Sequence, residues 1–303
     1  MSRSLESGYH RHRMISRKSL LIIAACSLAG CSSGNSSGLG GHISPEKSEA
    51  ALLKAGDIAR DGGDLRSAGE LYRQAATIAP KDPVPYDHLG AALFKSGAYA
   101  EAFEALRSSL ARDPDNFVAN RRLGKLALAL GKPDQALAYF QAAEKMHGDD
   151  PLILNGIGVA QDALGDHTRA QVEYRKGMKL APENLAIKNN YGLSLALAGD
   201  YRAAIATLSA VVADPRATAQ NRQNLALAYG LAGDDINASV AARKDISDSD
   251  SASNQRYYAV LRAMDDRKRT QAVLGSEFGR INDVELKAGT TPDRGSTPNA
   301  DGR

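Results

Sequence analysis

Residues 151–184 read PLILNGIGVAQDALGDHTRAQVEYRKGMKLAPEN, and residues 185–218 read LAIKNNYGLSLALAGDYRAAIATLSAVVADPRAT. Laid over one another, these two 34-residue segments match Gly158 with Gly192, Gly165 with Gly199 and Ala170 with Ala204. The period runs on in both directions. With repeats starting at Glu49, Pro83, Phe117, Pro151, Leu185 and Ala219, the eighth column is Gly56, Gly90, Gly124, Gly158, Gly192 and Ala226. The fifteenth is Gly63, Gly97, Gly131, Gly165, Gly199 and Gly233, and the twentieth is Ala68, Ala102, Ala136, Ala170, Ala204 and Ala238. Self-similarity at one fixed period decides the architecture before any local propensity does.

Each column has a physical reason. Small residues at columns 8 and 20 let two antiparallel helices approach closely, while Gly at column 15 supplies the positive φ that ends the first helix. Large residues sit at column 7 (Leu89, Leu123, Ile157, Tyr191, Leu225) and column 24 (Tyr72, Leu106, Phe140, Tyr174, Leu208). Pro80, Pro114 and Pro182 at column 32 stop the second helix. The departures are Gly148 and Arg216 at column 32, and Ala242 at column 24 of the sixth repeat.

This pattern resembles the tetratricopeptide repeat. The resemblance implies an all-α fold, a right-handed superhelix (α-solenoid) of about six helix pairs over residues 48–250, closed by a capping helix over 251–274 that carries Tyr257, Tyr258, Val260, Leu261 and Met264. Residues 275–303 read as a weakly structured to disordered polar tail, with Pro292 and Pro298 among glycines.

The amino-terminal segment has a different composition. Arg17 and Lys18 precede an apolar run from Leu20 to Ala29, too short to cross the roughly 30 Å of a bilayer core but suited to the middle of a secretory signal. Leu28-Ala29-Gly30-Cys31 resembles the lipobox of bacterial lipoproteins, which implies removal of residues 1–30 and lipidation of Cys31. Several acyl chains on Cys31 would anchor it stably where one would not. Met14 offers a second start, and Ser32 after the cysteine favours the outer over the inner membrane in the enteric sorting pattern. Eight of the ten residues Ser32–Gly41 are Ser or Gly, so residues 31–47 read as a lipidated cysteine on a flexible tether.

Composition narrows the function classes. The formal charge of +3 owes its sign to residues 1–30, which hold five basic residues against Glu6. Without them 33 basic residues face 34 acidic ones, which removes compositional support for nucleic-acid binding, and 5% aromatics without Trp give no base-stacking platform. Cys26 and Cys31 are the only thiols, leaving no disulfide framework or cysteine-based metal site in the repeats.

No catalytic constellation stands out. Gly124–Lys132 has the wrong spacing for a phosphate loop, with Pro133 where Ser or Thr is needed. His88, His147 and His167 fall in three different repeats and read as solvated or locally satisfied, and the acidic residues as a solvated outer surface. The expectation is a non-enzyme with no cofactor, no metal and no small-molecule substrate.

What the resemblance leaves is a concave groove, lined in the family by columns 2, 5, 6, 9, 12 and 13 of each first helix. Carried over residue by residue, these place Arg121, Arg122 and Lys125 in repeat three, then the amides Asn155, Asn189, Asn190, Gln223 and Asn224 in repeats four to six. A basic segment followed by an amide ladder suits an extended or helical protein segment, preferably one with acidic groups.

The overall layout resembles the tetratricopeptide-repeat lipoproteins of tight-adherence (Flp) pilus assembly. That implies an outer-membrane, periplasm-facing scaffold or pilotin-like factor whose partner is a pilus secretin or another assembly component, with the membrane reached through Cys31. Two alternatives stand beside it. One is another envelope scaffold, for outer-membrane protein assembly or as a peptidoglycan-enzyme adaptor. The other is an enzyme with a repeat-built substrate arm, which the short remainder outside the repeats disfavours.

Overall fold

The computed structural model describes residues 45–277. The six pairs are α1 (Pro45–Asp61) with α2 (Leu65–Ile78), α3 (Val84–Lys95) with α4 (Tyr99–Leu110), α5 (Phe117–Ala129) with α6 (Pro133–Met146), α7 (Pro151–Ala163) with α8 (His167–Leu180), α9 (Leu185–Leu197) with α10 (Tyr201–Val212), and α11 (Ala219–Leu231) with α12 (Asp235–Ala242). Two further helices follow, α13 (Asp248–Ala263) and α14 (Asp266–Glu277), and the described residues contain no strand. No described helix is long and apolar enough to cross a membrane. The signal segment, Cys31 and the tether up to residue 44 lie outside the described residues, as do residues 278–303.

Local chemistry sets each boundary. Four of the six second helices begin behind an aspartate whose carboxylate accepts the backbone N–H three residues on: Asp64 from Ser67 at 3.0 Å, Asp166 from Arg169 at 3.2 Å, Asp200 from Ala203 at 3.1 Å and Asp234 from Asn237 at 3.1 Å. The first helices use Asn116, Asp150, Asn184 and Thr218 in the same role. Between paired helices the column-15 glycines adopt φ of 67° to 86°, the left-handed turn that the sequence demanded.

The glycine and large-residue columns meet. A methyl added at Gly56, Gly90, Gly124, Gly158 or Gly192 would come within 2.5–2.8 Å of Tyr72, Leu106, Phe140, Tyr174 or Leu208, the column-24 residue of the same pair. Every one of those five side chains is at most 1% exposed, and the column-20 alanines beside them are at most 1% exposed too. The sixth pair inverts the rule. Ala242 replaces the large residue, so Ala226 fits where the others need glycine, and Tyr258 of α13 supplies the missing bulk against Gly230.

The core is a chain of overlapping apolar clusters rather than one centre. Leu93 belongs to the margins of both the first and second clusters, Tyr139 to the second and third, and Tyr191 to the third and last. This quasi-one-dimensional stacking makes each pair depend on its neighbours.

The array ends differently from the single capping helix expected over 251–274. The chain starts α13 at Asp248, behind the Ser247 cap, and breaks at Met264, which is extended (φ −81°, ψ 151°). Asp265 then caps a second helix through Lys268 N–H at 2.9 Å. The break is held by Arg269, whose guanidinium donates to the Leu261 and Met264 carbonyls at 3.1 and 2.9 Å. Those carbonyls are among the orphan acceptors that a helix end leaves exposed.

Candidate protein-binding groove

The first helices of successive pairs (α1, α3, α5, α7, α9, α11) pack on one another along the array, while the second helices are held apart. The first helices therefore form the inner face of the curve. Columns 5, 6, 9, 12 and 13 lie on it, and four polar arrangements occupy it.

At the amino-terminal end, Asp57 of α1 accepts the Tyr72 hydroxyl at 2.8 Å and lies 2.8 Å from the Arg60 guanidinium and 3.1 Å from His88 Nδ1. The Tyr72 and His88 rings meet edge-on, centroids 5.3 Å apart. Burial first, then the hydrogen bond to Asp57, pushes the Tyr72 hydroxyl far above the ordinary tyrosine range, so it is a fixed donor. Burial pulls His88 below its ordinary value against the opposing pull of Asp57. The cluster is open: the Asp57, Arg60 and His88 side chains keep 35%, 26% and 24% of their exposure.

In the middle, Arg122 of α5 forms a close ion pair with Asp87 of α3 and also donates to the Asp87 carbonyl at 3.1 Å. Arg121 reaches Asp150 at 3.3 Å. The basic trio expected to meet an acidic partner is thus partly matched from within, with Arg121, Arg122 and Lys125 each half-buried. Asp87 is buried, and its second carboxylate oxygen has no hydrogen-bond partner among the described residues.

Beyond it, four of the expected amides, Asn155, Asn189, Asn190 and Asn224, form one connected run, which Gln220 joins in place of the expected Gln223. Asn190 donates to Asn155 at 3.0 Å, Asn189 to Asn190 at 3.4 Å, Asn224 to Asn189 at 3.2 Å, and Gln220 to Asn224 at 3.1 Å. Asn155, Asn189 and Asn224 are buried, while Asn190 and Gln223 are half-buried. These side chains tie repeat to repeat. The link is the same one that Arg122 makes with Asp87, column 6 of one repeat to column 5 of the repeat before it. Across repeats two to six it is interrupted once, between repeats three and four, where column 6 is Gly156 and any side chain would strike Phe140.

The fourth arrangement carries no signal in the repeat columns. Asp162 of α7 is 4% exposed and takes three hydrogen bonds: from Ser194 at 2.7 Å, His167 Nδ1 at 2.7 Å and Tyr174 at 2.9 Å. The other imidazole nitrogen of His167 lies 3.1 Å from the Thr270 hydroxyl of α14. Burial raises the Asp162 pKa above the usual carboxylate range, opposed by hydrogen bonds from His167, Ser194 and Tyr174. Asp57, Asp87 and Asp162 thus correct the expectation that the acids coat the outer surface: they face inward because Tyr, His, Arg and Ser donors await them there. His167 is locally satisfied, as expected, and His147 stacks on Phe117 at 4.0 Å.

Thr270 reveals where α14 runs. It returns from the end of the array onto α7 and α9, where Val273 and Leu274 join the apolar cluster of Leu193, Leu197, Leu227 and Leu231, with Ala163 at its margin. The readable signal lay in columns 9 and 13. They hold Asp57, Asp61, Lys95 and Lys125 beside Ala91 and Ala129 in repeats one to three, but Val159, Ala163, Leu193, Leu197, Leu227 and Leu231 in repeats four to six. An inner face that apolar needs a cover.

Carboxylate, imidazole and hydroxyl in sequence have the order of a proton relay. Here the hydroxyl is 2% exposed, so the arrangement holds a helix rather than meeting a substrate. Among the described residues no group of three His, Cys, Asp or Glu side chains could hold a metal.

Comparison with known proteins agrees with this geometry. Tetratricopeptide repeat models match residues 93–156, and also 49–82 and 153–184. A bovine BBSome complex member, BBS4, is 29% identical over 150 residues; the match covers half of this chain, and the chain spans 29% of that protein's length. Among solved structures, a tetratricopeptide repeat protein from Parabacteroides merdae superposes over 78% of this chain and 99% of its own, with a TM-score of 0.58 at 17% identity. A Pseudomonas aeruginosa structure titled as a functional characterisation of pilF covers 76% of this chain and 99% of its own, with a TM-score of 0.55 at 14% identity. At such identities the likeness is one of fold. Residues 49–82 and 93–184 thus match tetratricopeptide repeats, the described array shares their fold, and repeats of this kind bind protein partners.

Proposed function

We propose that this chain is a lipid-anchored scaffold, similar to TadD of the tight-adherence pilus system, that works at the periplasmic face of the outer membrane. In this reading Cys31 carries the anchor, the Ser/Gly segment sets the stand-off, and the groove grips a segment of the pilus secretin or a neighbouring assembly component. The work is binding, in the manner of a pilotin, and assists secretin assembly or localisation. The observation that carries the reading is the Leu28-Ala29-Gly30-Cys31 lipobox placed directly ahead of a Ser/Gly tether and a repeat array. The fold likeness to the pilF structure supports it at the level of architecture.

Within the groove, the half-buried Arg121, Arg122 and Lys125 are the proposed contact residues, together with Asn190 of the amide run and the half-buried Gln223. An acidic partner segment would exchange with Asp87 and Asp150 for the two guanidinium groups, which favours partners able to make bidentate contacts. Replacing Cys31 with Ser tests the anchor: the chain should leave the outer-membrane fraction. Deleting the gene tests the role, with loss of secretin multimers expected. Normal multimers and normal surface pili would remove the pilus assignment and leave an envelope scaffold for another partner.

A further inference from the structure

The inner face of repeats four to six already carries a helix, and few apolar side chains hold it there. α14 reads DRKRTQAVLGSE, a mostly polar segment of 12 residues. A helix this short is marginal on its own in water, so its order comes from docking. It meets the groove through Thr270 on His167 and through Val273 and Leu274 on the apolar strip. It is joined to α13 by the extended Met264 and the cap Asp265, a break that Arg269 fastens to the Leu261 and Met264 carbonyls, so undocking must loosen these bonds as well. A cavity of about 180 Å³ remains beside it, bounded by Pro133, Leu164, Arg267 and Gln271.

We propose that α14 is a releasable occupant, and that the strip beneath it binds a short amphipathic helix of a partner protein with the same chemistry. That helix would present a hydroxyl to His167 and, three and four residues later, two adjacent apolar side chains to Ala163, Leu193 and Leu197. The pattern follows from α14 itself, where Thr270, Val273 and Leu274 share one face at i, i+3 and i+4. Self-occupancy would hold the site closed until a better helix displaces α14. The apparent affinity for that helix is then reduced by the small fraction of molecules that are open. The inference rests on the groove being a protein-binding surface and is independent of the anchor and of the pilus role, so failure of the Cys31 or gene-deletion tests leaves it standing.

The test uses a fluorescent synthetic peptide of residues 265–277 and the full repeat protein carrying Val273→Asp and Leu274→Asp. The opened variant should bind the peptide at least about tenfold more tightly than the unaltered chain, and adding Leu197→Asp or His167→Ala should abolish the gain. Equal affinity for the opened and unaltered chains would overturn the proposal. Because the double variant could lose structure, hydrogen exchange on the unaltered chain gives a second reading. Amides of α14 should exchange at least about a hundredfold faster than those of α9, and equal protection would contradict release. A concentration-dependent dimer lost with the same two substitutions would assign the strip to a second copy's α14, overturning a foreign partner.

Discussion

Two clusters in this molecule are built from the same three residue types and behave as opposites. Asp57 with Tyr72 and His88 lies open in the first two repeats, while Asp162 with Tyr174 and His167 lies sealed in the fourth under α14. In each, a column-24 tyrosine donates to an inner-face aspartate that also meets a histidine. The scaffold beneath them is one repeated unit, so their difference comes from what covers them. Where columns 9 and 13 are charged, water reaches the acid; where they are apolar, a helix closes over it and Thr270 completes the histidine. The same repeat thus yields an accessible groove at one end and a filled one at the other.

The largest expected break in this comparison is removal of the acids. Asp162→Ala strands three buried donors and should cost about 3–5 kcal/mol in urea denaturation, whereas Asp57→Ala, in a hydrated cluster, should cost about 1 kcal/mol or less. Equal losses would show that the sealed cluster is not sealed. Next in size, Asn189→Ala cuts two contacts of the amide run and should cost about 1–2 kcal/mol.

pH separates the clusters by sign. Asp162, raised by burial, contributes stability that is full below its unfolded pKa of about 3.9 and is lost as pH climbs through its raised value. His88, lowered by burial, contributes stability present above about 6.5 and lost as pH falls through its lowered value. Taking the parent protein against Asp162→Asn, the difference should move toward the parent on acidification. Against His88→Gln it should move toward the variant. Matching slopes in the two denaturation series would refute the contrast. The smallest effect sharpens the comparison by its sameness: Gly97→Ala and Gly199→Ala, at φ of 83° and 86°, should each cost about 1 kcal/mol, whichever half they occupy.

The scaffold was legible because its columns are enforced by contacts inside one repeat. Gly158 faces Tyr174 within a single helix pair, and Gly165 needs only its own backbone. The face was legible in part. Arg121, Arg122 and the amides were placed on the inner side, but Arg122, Asn190 and Asn224 find their partners 35 residues earlier, one repeat and one position back, and this offset depends on how neighbouring first helices rotate. Asn189 and Asn224 therefore read as free hydrogen-bonding groups although they bind one another. The return of α14 was hidden for a different reason. Only Val273, Leu274 and Thr270 of a charged helix carry the docking, too few to stand out as an amphipathic pattern, and the Met264 break follows from carbonyls capped by Arg269 rather than from Gly or Pro. The apolar turn of columns 9 and 13 was visible, and its meaning was a missing cover.

Photo-crosslinking from the groove tests the central claim most directly. A photoreactive residue placed at Lys125, in the open half, should capture one discrete protein in the native envelope, identifiable by mass spectrometry as a pilus secretin or assembly component. The same probe at Glu104, on an exposed second helix, should not capture it. Capture from Glu104 with none from Lys125 would contradict a binding surface on the inner face.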